Sequence, residues 1–223
     1  MSALSITLTI SEENYLKAIY HLQTGRGNVS TNALAKSLQA KPASITDMMK
    51  KLNAKGLLHY KPYYGFSLST EGRKAALAII RRHRLWEYFL ATKLNFNWDE
   101  VHEVAEELEH VSSRKLVERL DAYLGFPEFD PHGDPIPDTK GRVKKNDSLP
   151  LSNLPLLQPA EVQNIISQSK DALAYLKQIN IGVGTVLKIH KRFDFDGSIE
   201  VMINAKPVML TETLSKNLLV KKL

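Results

Sequence analysis

The 223-residue chain contains no cysteine. This absence excludes disulfide bonds, cysteine-ligated zinc ribbons, iron–sulfur clusters and thiol catalysis. Long apolar segments are also absent, because the longest uninterrupted apolar run covers only residues 75–80, whereas a membrane-spanning helix needs about 20 apolar residues. The first residues lack the basic region and apolar core of a secretion signal. We therefore expect a soluble cytoplasmic protein that has no membrane partner.

Acidic residues are scarce in the N-terminal third of the chain. Residues 1–84 carry a net charge of +9, whereas the remaining residues carry a net charge of −3. A basic region joined to a mildly acidic one favours a nucleic-acid contact at one end of the molecule. A solvated lysine-rich surface has the same composition, so charge alone leaves both interpretations open.

Proline divides the chain into regions of different character. Seven of the ten prolines lie in residues 125–160, which indicates a linker or an extended ordered arm. The pattern before this segment is helical with one β-rich interruption. After it, Ile199, Val201 and Ile203 occupy every second position, which predicts a half-buried strand. We expect a mainly α-helical protein that ends in a small β-rich barrel.

The N-terminal third has the element order of a winged helix-turn-helix. A first helix is followed by a short second helix that Ser30 or Thr31 can cap. After a break near Pro42, a third helix over about 43–54 ends at Gly56, and a two-stranded ribbon follows. In this arrangement the third helix enters the major groove of DNA.

Candidate DNA contacts surround this third helix. Polar side chains near its start can meet base edges, while lysines beside it and a tyrosine of the ribbon can meet the sugar-phosphate backbone. The candidates are Lys41, Ser44, Thr46, Asp47, Lys50, Lys51, Lys61 and Tyr64. Two alternatives remain open: the lysines can form only a solvated helix face, and winged helices also serve as protein-contact modules.

Histidine and carboxylate residues recur at helical spacing in the middle of the chain. His83 and Glu87 are four residues apart and share one face of a helix. A helix predicted over 101–111 has two imidazoles and two carboxylates on one stripe: His102, Glu106, Glu109 and His110. Stacked buried carboxylates repel one another unless a cation compensates them, so the pattern predicts a divalent metal site. An exposed acidic helix is the alternative.

The available ligand types limit the choice of metal. With no cysteine in the chain, only nitrogen and oxygen ligands are evident in these motifs. Such a set suits Mn²⁺ or Fe²⁺, with Zn²⁺ or Co²⁺ as possible substitutes.

Three motifs together resemble a known family. They are H-R-L-W-E-Y-F-L at 83–90, V-H-E-V-A-E-E-L-E-H-V at 101–111, and the proline-rich D-P-H-G-D-P-I-P at 130–137. Downstream of a winged helix, this combination resembles the DtxR/MntR family of metal-dependent bacterial transcriptional repressors, in its longer, manganese-responsive branch. The resemblance implies a homodimer, not an enzyme, which binds a double-stranded DNA operator and represses metal-uptake genes when metal is replete.

The resemblance covers nearly the whole chain and implies its domain organisation. The expected segments are a winged helix-turn-helix at 1–72, a helical metal-binding and dimerisation domain at 73–145, a linker at 146–160, and an SH3-like, FeoA-type module at 161–223.

The primary metal site of the family maps onto the V-H-E helix and the first helix. The resemblance implies Glu106, Glu109 and His110 as ligands, together with Asn14. Manganese members have Asp at the last of these positions and iron members have Met, so the neutral amide of Asn14 is a departure. Glu13 is the alternative ligand from the first helix.

The second metal site implied by the resemblance draws on more distant segments, here His83, Glu87, His102, Asp130, His132 and Asp171. The manganese branch has a Cys-Pro-His triplet where this chain has Asp130-Pro131-His132. Aspartate keeps the negative charge of a thiolate but is a harder ligand, which favours manganese or iron. Asp171 can equally be an acidic residue in the first turn of a helix.

Two other functions remain compatible with the residues. A metal-dependent hydrolase could use two His/carboxylate groups to activate water, although no separate general base or substrate-shaping glycine loop is evident. A winged-helix protein interaction module with a structural metal is the second alternative.

Overall fold

The structure is a computed structural model that describes residues 7–23, 27–61, 64–98, 100–144, 147–166 and 169–223, without the side chain of Lys61. The chain forms two compact units. The first consists of Met1–Arg82, Glu109–Ser112 and Pro137–Arg142, and the second of His83–Leu108, Ser113–Ile136 and Val143–Leu223. Within the described residues, no helix combines the length and the hydropathy that crossing a bilayer demands.

The first unit opens with the predicted winged helix-turn-helix. Its elements are α1 Ile10–Leu22, α2 Thr31–Ser37, α3 Pro42–Ala54, β1 Leu58–Lys61 and β2 Gly65–Leu68. Ser30 caps α2 by accepting a hydrogen bond from the Ala33 N–H, and Gly56 follows α3 with a φ of 73° that a glycine adopts without strain. Leu16, Ile45 and other apolar side chains of the three helices bury a shared core. The element order predicted from the sequence is confirmed.

Three further helices follow: α4 Thr70–Lys93, α5 Val101–Leu108 and α6 Arg114–Tyr123. The division between the two units falls within α4, after Arg82. Helix α5 ends at Leu108, so the predicted helix over 101–111 is wrong at its C-terminal end. Just beyond this end, the Arg82 Nε donates a 2.5 Å hydrogen bond to the Glu109 carbonyl, so a distant side chain satisfies a carbonyl that α5 does not use.

The second unit ends in a six-stranded antiparallel sheet. Its strands are β3 Leu149–Pro150, β4 Pro159–Ile165, β5 Val186–Arg192, β6 Ile199–Ile203, β7 Lys206–Leu210 and β8 Leu218–Lys222, in the order β3-β8-β4-β5-β6-β7. Two helices accompany the sheet, α7 Lys170–Gln178 and α8 Glu212–Asn217. Alternate residues of β6 are buried, as the sequence pattern predicts. We call residues 149–223 the C-terminal module.

The C-terminal module begins earlier than the sequence indicates. Residues 149–160, expected to be part of a linker, include β3 and the start of β4. Leu151, Leu154 and Ala160 are buried in the core of the module. Pro150 stands on β3, an edge strand, where the missing N–H disturbs the ladder least. Two of the three prolines of this segment, Pro150 and Pro159, therefore lie on strands of the sheet.

Candidate metal centre

A buried cluster of ligand-type side chains lies in the second unit. It consists of His83 and Glu87 from α4, His102 from α5, and Asp130 and His132 from the segment after α6, and we call it the Glu87 group. Glu87 is central, because its Oε1 is 3.0 Å from the His83 Nε2, 3.2 Å from the His102 Nδ1 and 3.9 Å from the His132 Nδ1. His83, Glu87 and His102 offer ligand atoms within 4.8 Å of one another, and so do Glu87, Asp130 and His132.

Three ligand atoms of the Glu87 group are buried without a hydrogen bond. They are Glu87 Oε2, Asp130 Oδ2 and His132 Nδ1, none of which has a hydrogen-bond partner among the described residues. A buried polar atom without a partner is energetically costly. Two carboxylate oxygens and one imidazole nitrogen are donors that a divalent cation such as Mn²⁺ or Fe²⁺ accepts. The residues present therefore fit a divalent cation.

The backbone of Trp98 orients the His132 ring. The His132 Nε2 lies 2.8 Å from the Trp98 carbonyl oxygen. Because a carbonyl can only accept, the Nε2 carries the hydrogen and the Nδ1 of the neutral ring keeps its lone pair. The Trp98 side chain packs against the core of the C-terminal module.

The two carboxyl groups of the Glu87 group have pKa values shifted in opposite directions. Burial opposes the charge of Glu87, but hydrogen bonds from His102 and His83 outweigh it and hold the pKa of Glu87 below its usual range. Burial, the Glu87 charge and Asp134 raise the pKa of Asp130 well above its ordinary value. The pair thus resists carrying two negative charges, a resistance that a bound divalent cation removes.

A second cluster, which we call the α1 group, lies in the first unit. It consists of Glu13 and Lys17 from α1, Arg82 from α4, and Glu109 and His110 from the turn after α5. The Lys17 Nζ is 2.7 and 2.8 Å from the two carboxylate oxygens of buried Glu109. The Glu13 carboxylate lies 2.7 Å from the Arg82 Nη2 and 2.6 Å from the His110 Nδ1. Protein cations therefore compensate both carboxylates.

The remaining predicted metal ligands have other surroundings. Asn14 is half-buried and, within the described part of the chain, forms no hydrogen bond with the α1 group, where Glu13 meets His110 instead. The Glu106 Oε1 lies 3.6 Å from the His102 Nε2 in the second unit. Asp171 is exposed in the first turn of α7 and joins neither metal-capable cluster found among the described residues. The assignments of Asn14, Glu106 and Asp171 as ligands stay predictions.

The side chains at the start of α3 are accessible for DNA contacts. Ser44 and Asp47 are exposed. Thr46 is half-buried, and its hydroxyl donates a 3.1 Å hydrogen bond to the Pro42 carbonyl, so the oxygen can still accept a hydrogen bond. Lys41 is exposed just before the helix.

The side chains predicted to contact phosphates differ in how closely they already pair with carboxylates of the protein. The Lys50 Nζ is 3.8 Å from Asp47, and both side chains are mostly exposed. Lys51 instead lies 3.2 Å from the buried Glu12 carboxylate, which reduces its availability to a phosphate. Tyr64 is 67% exposed. The Lys61 side chain lies outside the described residues.

Two residues that shape these clusters, Lys17 and Trp98, were not predicted from the sequence. Lys17 is four residues after Glu13, so its place on the same face of α1 was visible, but its partner Glu109 lies 92 residues away. Trp98 acts through its backbone carbonyl, and no side-chain pattern signals such a role.

Three family sequence models match the chain. The N-terminal DNA binding domain of the iron dependent repressor matches residues 7–66, its metal binding and dimerisation domain matches 69–138, and the FeoA domain matches 149–222.

Relatives and solved structures agree with these matches. The HTH-type transcriptional regulator MntR of Oceanobacillus iheyensis is 30% identical over 139 residues, which cover 62% of this chain and 92% of the relative. The iron-dependent repressor IdeR of Mycobacterium leprae is 32% identical over 130 residues, covering 58% of this chain and 56% of the relative. A manganese-dependent transcriptional repressor solved in complex with manganese is 35% identical, with a TM-score of 0.87 over 95% of this chain and 100% of that one.

Proposed function

Because the chain belongs to the DtxR/MntR family of metal-dependent transcriptional repressors, we propose that it represses metal-uptake genes in response to Mn²⁺ or Fe²⁺. The family binds DNA through its N-terminal domain and dimerises through the domain that follows. In our proposal the chain acts as a homodimer on a double-stranded DNA operator. Zn²⁺ and Co²⁺ are substitutes that the same nitrogen and oxygen donors accept.

The observation that carries the proposal is the set of three buried ligand atoms in the Glu87 group that have no hydrogen bond among the described residues. Glu87 Oε2, Asp130 Oδ2 and His132 Nδ1 are buried, and none has a hydrogen-bond partner in the described part of the chain. A bound cation gives these atoms a direct partner, since the Arg84 Nε stays 3.5 Å from Asp130 Oδ2. Metal then favours the DNA-competent state only to the extent that it binds that state more tightly. A coupling of about 1–3 kcal/mol corresponds to roughly a 5–150-fold change in DNA affinity.

The chain's own residues prepare this site. His83 and His102 hydrogen-bond Oε1 of Glu87, which leaves Oε2 as the donor. The Trp98 carbonyl fixes His132 with its Nδ1 available. We keep His83 and His102 as further candidate ligands, and Glu109 and His110 as candidate ligands of a separate metal site, with Glu13 preferred to Asn14 because of its contact with His110.

DNA reading is assigned to α3. Ser44, Thr46 and Asp47 are proposed to meet base edges, and Lys41 and Lys50 to meet phosphates. Lys61 and Tyr64 are retained as contacts of the ribbon. Lys51 is the weakest of these assignments, because Glu12 already pairs with it.

The test is DNA binding as a function of each metal. Duplexes are selected from a random-sequence pool by the Mn²⁺-loaded protein, and a selected duplex is then titrated with Mn²⁺, Fe²⁺ and Zn²⁺ in separate series. We expect metal to raise the affinity of the wild type, and Asp130→Asn to require at least about tenfold more metal. Glu107→Gln, a change of an exposed carboxylate on α5, is the matched control and should respond as the wild type does.

Two results contradict the proposal. One is DNA binding that is independent of every metal tested, and the other is an Asp130→Asn protein with an unchanged metal threshold. We also propose that the chain catalyses no reaction, in keeping with its family. Hydrolysis of phosphoesters by the Mn²⁺-loaded protein, lost in Asp130→Asn, would support the hydrolase alternative instead.

A further inference from the structure

Two ligands of the Glu87 group lie on one short loop, residues 130–135, which we call the arm loop. Asp130 organises this loop, because its Oδ1 accepts hydrogen bonds of 2.9 Å from the backbone N–H groups of His132 and Asp134. The other oxygen, Oδ2, is the buried atom that lacks a hydrogen bond among the described residues. Asp130 therefore uses Oδ1 to hold the shape of the loop, and its Oδ2 is the oxygen that can bind a cation.

The C-terminal module holds the arm loop from one side. The Asn164 Nδ2 donates a 3.0 Å hydrogen bond to Oδ1 of Asp134, and the Ile165 N–H donates a 2.9 Å hydrogen bond to the His132 carbonyl. Asn164 is 2% exposed and follows a register shift in β4. A β-bulge of this kind re-aims side chains near functional sites, and here the re-aimed side chain is the one that reaches the loop.

The contact between loop and strand is close. A Cβ atom at Gly133 would lie 1.9 Å from the Gln163 carbonyl oxygen, and the φ of Gly133 is +86°. Only glycine combines this backbone conformation with this approach.

Helix α4 holds the loop from another side. The Arg84 Nη1 donates a 2.6 Å hydrogen bond to the Pro135 carbonyl. The same guanidinium lies 3.5 Å from Asp130 Oδ2 and 3.5 Å from Asp134 Oδ1. The Asp134 carboxylate is therefore shared between α4 and β4, and Asn164 is the neutral partner that belongs to the module.

We propose that Asn164 is a positioning residue of the metal site, through which the C-terminal module sets the metal affinity of the Glu87 group. Among the described residues, Asn164 forms no hydrogen bond with a ligand side chain; it fixes Asp134 and thereby the loop that presents Asp130 and His132. Partners that orient ligands typically change metal affinity about 10–100-fold when they are removed. The proposal rests on the proposed function, because it takes the Glu87 group as the metal site.

The test separates the hydrogen bond from general stability. Asn164→Leu removes the donor at similar volume, and Asn164→Asp sets a carboxylate against that of Asp134. Combining Asn164→Asp with Asp134→Asn restores the hydrogen bond with its polarity reversed. Gln163→Leu, a change at the neighbouring half-buried position of β4, is the matched control. For the full-length variants, Mn²⁺ affinity is measured by calorimetry, thermal unfolding without metal is recorded, and DNA binding is measured at rising and at saturating Mn²⁺.

We expect Asn164→Leu to weaken Mn²⁺ binding about tenfold and Asn164→Asp to weaken it more, while the double variant recovers to within about threefold of the wild type. DNA affinity at saturating Mn²⁺ should be unchanged, since only the metal threshold depends on positioning. Should Asn164→Leu fail to fold, the comparison of Asn164→Asp with the double variant carries the test.

Wild-type Mn²⁺ affinity in Asn164→Leu and Asn164→Asp would overturn the proposal, and so would a double variant no better than Asn164→Asp. Failure of the proposed function is a separate result. If Glu87→Gln binds Mn²⁺ as the wild type does, the Glu87 group is not the metal site, and both proposals fall.

Discussion

In the α1 group each carboxylate meets a cation of the protein, whereas the Glu87 group leaves three buried ligand atoms without a hydrogen bond in the described part of the chain. Lys17 binds both oxygens of Glu109 at 2.7 and 2.8 Å. In the Glu87 group, by contrast, the Arg84 Nε stays 3.5 Å from Asp130 Oδ2. The first arrangement is electrostatically complete without an ion, and the second is not. Two clusters of similar composition can therefore respond to metal very differently.

The largest effect is expected from removing the internal cation of the α1 group. Lys17→Met leaves the buried Glu109 carboxylate without this ammonium, so the free energy of unfolding without metal should fall by about 3 kcal/mol. Chemical denaturation measures it. Lys74→Met, which removes an exposed partner of Glu71, should change stability by less than about 1 kcal/mol. Equal losses in the two variants would mean that the Lys17 pair is no more than a surface contact.

A change in the Glu87 group should have the opposite signature. Glu87→Gln keeps an oxygen for His83 and His102 but removes the negative charge that a cation needs, so Mn²⁺ affinity should fall about 100-fold. Stability without metal should fall by less than in Lys17→Met, because the weaker hydrogen bonds from His83 and His102 are partly offset once Asp130 no longer faces a second carboxylate. Calorimetry and denaturation without metal give the two quantities. A large loss of stability with unchanged Mn²⁺ affinity would remove the contrast between the groups.

Acid unfolding extends the comparison to Glu12, the neighbour of Glu13 on α1. Burial opposes ionisation of Glu12, but hydrogen bonds from Lys55 and from the Thr9 N–H outweigh it and lower its pKa to about 2 from 4.5. A lowered pKa stabilises the fold above the unfolded value, and this contribution disappears as the pH falls from about 4.5 to 2. Glu12→Gln should therefore cost about 1–3 kcal/mol at pH 7 and flatten the loss of stability over that interval.

The pH dependence of unfolding, followed by denaturation at each pH, checks this prediction. Glu71→Gln changes an exposed carboxylate on α4. This variant should lose stability in acid as the wild type does. If the free energy of unfolding falls equally with pH in Glu12→Gln and in the wild type, Glu12 is not the group that causes the loss of stability in acid.

The smallest effect concerns two neighbouring lysines of α3. Lys50 has only an exposed carboxylate at 3.8 Å, whereas Lys51 pairs with buried Glu12. Lys50→Ala should weaken binding to all duplexes alike and reduce the dependence of log affinity on log salt by about 0.9. Lys51→Ala should change this slope less and protein stability more. A change in sequence preference for Lys50→Ala, with an unchanged slope, would mean that α3 is wrongly assigned as the reading helix.

The features predictable from the sequence are those that local chemistry determines. Ser30 caps α2 and Gly56 ends α3 because capping and left-handed conformations depend on a few adjacent residues. The His83–Glu87 pair follows from helical spacing alone. Asp130 and His132 were predicted as ligands only from the family resemblance. The proline-rich segment that contains them has no periodicity from which their position could be derived.

The features that escaped prediction depend on distant partners. Arg82 bonds the Glu109 carbonyl just beyond the end of α5 at Leu108, and Lys17 meets the Glu109 carboxylate across 92 residues of sequence. Such pairs form through tertiary packing, for which a single sequence has no short-range signal. The early start of the C-terminal module has the same cause, since β3 pairs with β8 at the other end of the module.

The close approach of Gly133 to β4 also constrains how this gene can diverge. A ligand such as Asp130 can be exchanged for another donor when the available metal changes, because side chains of several kinds can bind a cation. Position 133 has no such freedom while β4 is present, since a single added methyl group would meet the Gln163 carbonyl oxygen. Among descendants of this chain, we therefore expect the glycine to outlast its neighbouring ligands, and to be lost in those that also lose the C-terminal module.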